Sequence, residues 1–270
     1  MTVSLSTATA PATHVGVPGL LVPPAARSAA YQVRLARTEA DLRAAQALRF
    51  EVFNLELDEG LVQSYDSGLD ADPYDAVCEH LIVEDGASGA VVGTYRLQTG
   101  LQARHGLGYY SEREFDFTPF EERRGEILEL GRACIHQQHR NFKVLNGLWK
   151  GIFAHARERG SRYLLGCSSF TTQDPVQGLA AAEALRPHRA GADWWTEPHP
   201  RFACVAPAGA PAPTEPPRIP RLLSGYLALG AQICSPPAID REFRTIDFLT
   251  VLDARSPTIV ALQQRGRFSA

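Results

Sequence analysis

A carboxylate set inside an apolar strand is the first place to look for chemistry. Glu129 lies in EILELGRACI, which reads as a strand, and Arg132 follows three residues on. Burying a carboxylate is costly unless it is paired. Glu129 is therefore either a structural ion-pair member or a site residue able to hold a cation or take a proton. A side-chain period of two puts Glu129 and Arg132 on opposite faces, so only a bulge or an early strand end brings them together. Arg49, on an apolar-striped helix, and Arg96, between Tyr95 and Leu97, are suited to bidentate binding of a carboxylate or to ordinary ion pairing. Arg140 and Lys143 flank a helix start, where free N–H groups favour an anion; a solvated surface is the plainer alternative. His136 and His139 precede that helix at a spacing that argues against a metal pair. The chain has no P-loop, GxGxxG, HExxH or GxSxG motif.

These residues need a scaffold, and periodicity supplies one. YQVRLA reads as a first strand. Thr38 then reads as a helix N-cap with Asp41 three residues later, and Leu42, Ala45, Leu48, Val52 and Phe53 form one apolar stripe. Asn54 to Asp75 is acidic and glycine-punctuated, an irregular loop with room for a short helix. His80–Glu84 and Ala90–Gln98 form a hairpin around DGASG. Tyr109, Tyr110, Phe115, Phe117 and Phe120 crowd a long connection, as core or as the wall of a long substrate. The Glu129 strand, the helix FKVLNGLWKGIFAHARERG and the strand RYLLGCSSF make a βαβ-like unit with a crossover long enough for parallel pairing. An alanine-rich helix over Pro175–Leu185, a strand in PRFACV, an amphipathic helix in PRLLSGYLALGAQI and a strand in IDFLTVLDA follow.

The expected organisation is a flexible leader over 1–30 and one α/β (α+β) domain over 31–270, with a proline-rich connection at 206–220. A chain of 270 residues with net charge -3 and no basic cluster disfavours nucleic acid. The five cysteines are odd in number, lack CxxC spacing and read as small buried thiols of a reducing, cytoplasmic setting. The apolar run near the start is short and broken by proline, against a signal peptide. Peripheral contact with the inner face of a membrane stays open, with Arg221–Ile233 as its candidate segment beside a core-packing role.

Taken together these motifs resemble the GCN5-related N-acetyltransferase superfamily, whose fold is a mixed central sheet flanked by helices. Lys143 and Leu145 stand where that superfamily has small residues that admit the coenzyme A pyrophosphate. The fuller resemblance, over about Arg34 to Phe268, is to the ornithine N-acyltransferases of ornithine-lipid synthesis. It rests on ALRFEVFNLELDEG, DAVCEHLIV, GTYRL, ELGRACI, LNGLWKGI, YLLGCSSF and GAQICSPPAIDREFRTIDFL, in that order. More distantly, Arg49 with Val52 and Phe53, Asp75, Arg96, and Glu129 with Arg132 resemble acyl-homoserine lactone synthases and N-acyl amino acid synthases.

The resemblance implies an N-acyltransferase moving a 3-hydroxyacyl group from acyl carrier protein to the α-amine of ornithine, with no tightly bound cofactor and no metal. Acyl-phosphopantetheine on the carrier is the donor. Glu129 and Arg132 are then the catalytic pair. Arg49, Phe53, Asp75, Glu79 and Arg96 are substrate-binding residues, Asp75 and Glu79 for the acceptor's cationic side chain. Leu130, Gly131, Arg140, Lys143 and Lys150 face the phosphopantetheine or the acidic carrier. Replacing Glu129 by Gln is expected to cut turnover and leave the fold intact. The alternatives are a synthase with another amino acid acceptor, an acyl-homoserine lactone synthase-like enzyme, and a non-catalytic acyl-binding scaffold.

Overall fold

Thr38 starts the first helix as its spacing predicts. Its hydroxyl accepts the Asp41 N–H, and the Asp41 carboxylate accepts the Thr38 N–H in return. A computed structural model describes residues 30–268 except 212 and 214–216. The leader expected over 1–30 therefore lies, but for its last residue, outside the described residues.

The strands are β1 (Gln32–Leu35), β2 (Glu79–Glu84), β3 (Val91–Thr99), β4 (Ile127–Ile135), β5 (Tyr163–Phe170), β6 (Gln232–Ile233), β7 (Ala238–Asp240) and β8 (Thr245–Asp253). The helices are α1 (Glu39–Phe50), α2 (Ser64–Ser67), α3 (Gly100–His105), α4 (Phe142–Glu158), α5 (Pro175–Leu185), α6 (Arg221–Ala228) and α7 (Pro257–Gln264). One sheet runs β1-β2-β3-β4-β5-β8-β6, with β7 also paired to β8. Every pairing is antiparallel except β4 with β5. The mixed sheet flanked by helices is the architecture expected.

The amphipathic stripe of α4 packs Val144, Leu148, Ile152 and Phe153 onto β2, β3, β4 and β5, each such burial stabilising by about 1.5–3 kcal/mol. Glycine lets α4 come this close: a Cβ at Gly151 would lie 2.8 Å from Leu81. Tyr226 and Leu229, from α6 and just after it, join the same cluster, so this segment packs on the core. The opposite face carries α1, whose Leu48 packs with Val52, Phe53, Cys134 and Phe243. Tyr109, Phe115, Phe117 and Phe120 are buried there with Ile127, Leu165 and Leu249, so these four are core.

Two features open the sheet. The parallel ladder between β4 and β5 covers only Ile127–Glu129 against Tyr163–Leu165. Its last contact is tight: a Cβ at Gly166 would fall 2.2 Å from the Leu130 carbonyl oxygen, so only glycine fits. β4 then bulges. Its register against β3 shifts between Arg96 and Thr94, and Arg132 takes a left-handed φ of 51°. The extra residue turns Arg132 to the face that Glu129 occupies.

One expected strand is absent and one helix was not foreseen. PRFACV forms no strand, because Pro200 starts a 3-10 turn over Pro200–Phe202 and only Ala203 bridges to Ala238. The final helix α7, begun by Ser256 and Pro257, was not foreseen. No helix among the described residues is long and apolar enough to cross a membrane.

Candidate functional site

Three arginines and three aspartates close a ring beside the bulge. Arg49 of α1 grips Asp75 with both terminal nitrogens, at 3.0 and 2.6 Å. Arg96 of β3 joins Asp75 at 3.0 Å to Asp72 at 2.6 Å. Arg132 meets Asp72 at 3.0 Å and Asp70 at 3.2 Å, and Asp70 lies 3.3 Å from Arg49 Nε. All six side chains are buried, at 7% exposure or less. Three positive and three negative charges cancel, which is what lets them stay out of water.

The ring shapes its own electrostatics. Burial pushes the Asp75 carboxyl up, but Arg49 and Arg96 outweigh it and hold the group well below the usual carboxylate range. Asp72 is lowered in the same way by Arg96 and Arg132 against its burial. Gln46 adds a hydrogen bond to Asp75 at 2.9 Å. The aspartates come from one loop, fixed locally where Asp72 accepts the Tyr74 N–H at 2.9 Å.

Glu129 sits where β4 parts from β5. Its Oε2 accepts the Tyr110 N–H at 2.8 Å, and its Oε1 accepts the Ser111 N–H at 2.8 Å and the Ser111 hydroxyl. Burial raises the Glu129 pKa, and these three donors only partly offset it. Glu129 and Arg132 do not touch as an ion pair. Tyr110 links them, with its N–H on Glu129 and its ring 4.7 Å from the Arg132 guanidinium. A cleft of about 420 Å³ opens beside them, lined by Leu61, Asp72, Tyr74, Leu107, Arg113 and Arg132 among others.

The structure thus brings together Glu129, Arg132, Arg49, Asp75 and Arg96. Phe53 lies under them, edge-on to Phe243 at 5.3 Å, and Phe243 in turn packs 4.4 Å from Arg132. Gly131 pairs with Arg96, and Leu130 packs toward α4, so both mark the point of strand separation. Glu79 does not join the site: Arg159 holds it at 2.8 Å and His155 at 3.3 Å. Arg140 is paired to Glu56 at 2.5 and 2.6 Å. Lys143 is exposed in the first turn of α4, where Asn141 already caps two N–H groups, and Lys150 is half-buried. Glu129→Gln would set an amide NH2 against a backbone N–H at one of the two oxygens, so a loss of stability is the outcome to expect from this geometry.

Asp70, Asp72 and Ser111 were missed, and Tyr110 was read as core or substrate wall, not as the link between Glu129 and Arg132. The three aspartates carried a signal, the closely spaced acids of GLDADPYD opposite three arginines in apolar surroundings. Ser111 carried none.

Comparisons with known proteins agree with this architecture. The profile of the acetyltransferase (GNAT) domain matches residues 48–150. The L-ornithine N(alpha)-acyltransferase of Brucella abortus (strain 2308) is 34% identical over 241 residues, covering 84% of this chain and 85% of the relative. That of Rhizobium meliloti (strain 1021) is 32% identical over 239 residues, covering 84% and 81%. FeeM, an N-acyl amino acid synthase from uncultured soil microbes, shares the fold at a TM-score of 0.52 and 10% identity, covering 87% of this chain and 96% of its own.

Proposed function

Since this chain belongs to the L-ornithine N(alpha)-acyltransferase family, an acyltransferase family of the GNAT superfamily, we propose that it moves a 3-hydroxyacyl group from acyl carrier protein to the α-amine of L-ornithine, giving lyso-ornithine lipid. The observation that carries the chemistry is the Glu129–Ser111 pair at the point where β4 leaves β5. Acyl-phosphopantetheine enters along the freed strand edge. Backbone N–H groups near Leu130–Arg132 hold the thioester oxygen as it becomes an oxyanion. The neutral amine attacks the carbonyl carbon and a C–N bond forms. Its proton passes to Ser111 Oγ while the serine proton passes to Glu129 Oε1. Collapse breaks the C–S bond, and the departing thiolate takes the proton from Glu129.

The ring orders this site. Arg49 and Arg96 are buried on the aspartates and do not line the cleft, so they position Asp72 and Arg132 in its wall. The acceptor carboxylate meets Arg132 and Arg113 at the cleft. Lys143 and Lys150 are the docking residues for the acidic carrier. No tightly bound cofactor enters the reading. Purified protein offered 3-hydroxyacyl carrier protein and a panel of amino acids, with products read by mass spectrometry, tests it. Ornithine is the expected acceptor. Efficient acylation of a different amino acid in preference to ornithine, or of none, overturns the assignment.

A further inference from the structure

If the acceptor is ornithine, its side-chain ammonium needs a counter-charge, and the ring has none to give. Both oxygens of Asp75 are taken by arginines, and Glu79 is held by Arg159 and His155. Unbalanced negative charge lies on the other side of Glu129. Glu114 and Asp247 face each other together with Cys167, their ligating atoms all within 4.8 Å. Glu114 is 1% exposed, and neither of its oxygens meets a donor; Oδ1 of Asp247, at 3% exposure, also meets none.

The surroundings deepen the imbalance. Ser169 and Thr245 offset part of the cost at Asp247, while Asp240 and Glu59 add repulsion, each otherwise engaged. Asp240 accepts the Glu242 and Phe243 N–H groups and the Tyr110 hydroxyl, and Glu59 accepts from Thr171. Arg113 is the cation that reaches Glu114, and it is already paired with Glu242 at 2.7 Å. Burial, with repulsion from Asp240 and Glu59, pushes Asp247 up to about 7, and burial with repulsion from Asp247 and Asp240 pushes Glu114 well above its usual value. A buried acid pair of this kind either shares a proton or takes a cation.

Its position says which cation. Cys167 Sγ lies within 4.8 Å of both acids and interacts with Ser111, whose hydroxyl donates to Glu129. The pair therefore lies beyond Cys167 and Ser111 as seen from Glu129, the proposed proton acceptor, and on the same side of the sheet as the reacting groups. We propose that Glu114 and Asp247 form the subsite for the cationic side chain of the acceptor amino acid. An ammonium presents three donors and no acceptor, which suits oxygens that lack donors. This assignment rests on the N-acyltransferase reading above.

The test compares kcat/KM for ornithine and for norvaline, its uncharged homologue of the same carbon chain, in wild type, Glu114→Gln and Asp247→Asn. Wild type favours ornithine, and each variant lowers that ratio by roughly ten- to a hundred-fold, the cost of one charged hydrogen bond. An unchanged ratio in folded variants overturns the subsite and leaves amide synthesis standing. Wild type that acylates neither amino acid removes both readings. A second measurement needs no variant: n-propylammonium should raise the wild-type melting temperature where n-propanol does not, and equal effects refute the subsite. Dialysis against Mg2+, Mn2+ or Zn2+ with metal analysis covers the rival cation. Stoichiometric metal in wild type that is lost in Glu114→Gln overturns the ammonium assignment.

Discussion

Asp75→Asn is the sharpest probe of the ring. It keeps the side-chain volume but leaves three arginines facing two aspartates. Arg49 is fully buried and loses its bidentate partner, and Arg96 loses one of two. Breaking a buried pair from one side costs about 3–5 kcal/mol, because the remaining charge is stranded. For a domain of this size each kcal/mol shifts the melting temperature by about 2–4 °C, so the loss is roughly 6–20 °C. Asp58→Asn is the control. Asp58 pairs with Arg244 at 2.9 Å, but the two side chains are 77% and 44% exposed, so its loss is about 0–1 kcal/mol. Thermal unfolding by circular dichroism reads both. Adding Arg49→Met to Asp75→Asn should cost less than the two losses summed, since it removes a stranded charge. Equal losses for Asp75→Asn and Asp58→Asn would refute the buried ring.

Three further outcomes follow from the same geometry. Ser111→Ala should lower kcat, measured on a saturated carrier donor, by about a hundred-fold or more once scaled to the folded fraction. It should also melt lower, since a buried hydrogen bond to a carboxylate worth about 1.5–3 kcal/mol is lost. Gly166→Ala should destabilise strongly, because its Cβ would fall 2.2 Å from a backbone oxygen that cannot move without parting β4 from β5; urea unfolding reads it. Asp247 holds its proton in the fold from its unfolded value of 3.8 up to about 7, so the folded state binds more protons across that window. Stability should therefore fall as pH rises from about 4 to 7, and Asp247→Asn should flatten that fall in urea titrations at each pH.

The sheet and its helices were legible because their signals are local. The Thr38 capping box, the DGASG turn and the α4 stripe each act within a few residues. A carboxylate in an apolar strand pointed to Glu129, and the same signal in IDFLTVLDA went unread at Asp247. The bulge at Arg132 was named as a need but not located, since it depends on β3 register across the sheet. Glu79 was misplaced because its neighbours in sequence lead to the ring while its side chain points to α4. The contact of Ser111 with Glu129 joins a loop to a strand and leaves no trace in spacing.

The central claim is that Glu129, reached through Ser111, takes the proton when the amide forms. Single-turnover amide formation from 3-hydroxyacyl carrier protein and ornithine, compared between wild type and Glu129→Gln and scaled to the folded fraction of each, tests it directly. The variant should be slower by about 10²–10⁴-fold. It should also melt lower, since one backbone N–H loses its acceptor at a cost of about 1–3 kcal/mol. A folded variant that forms amide at the wild-type rate would contradict the account.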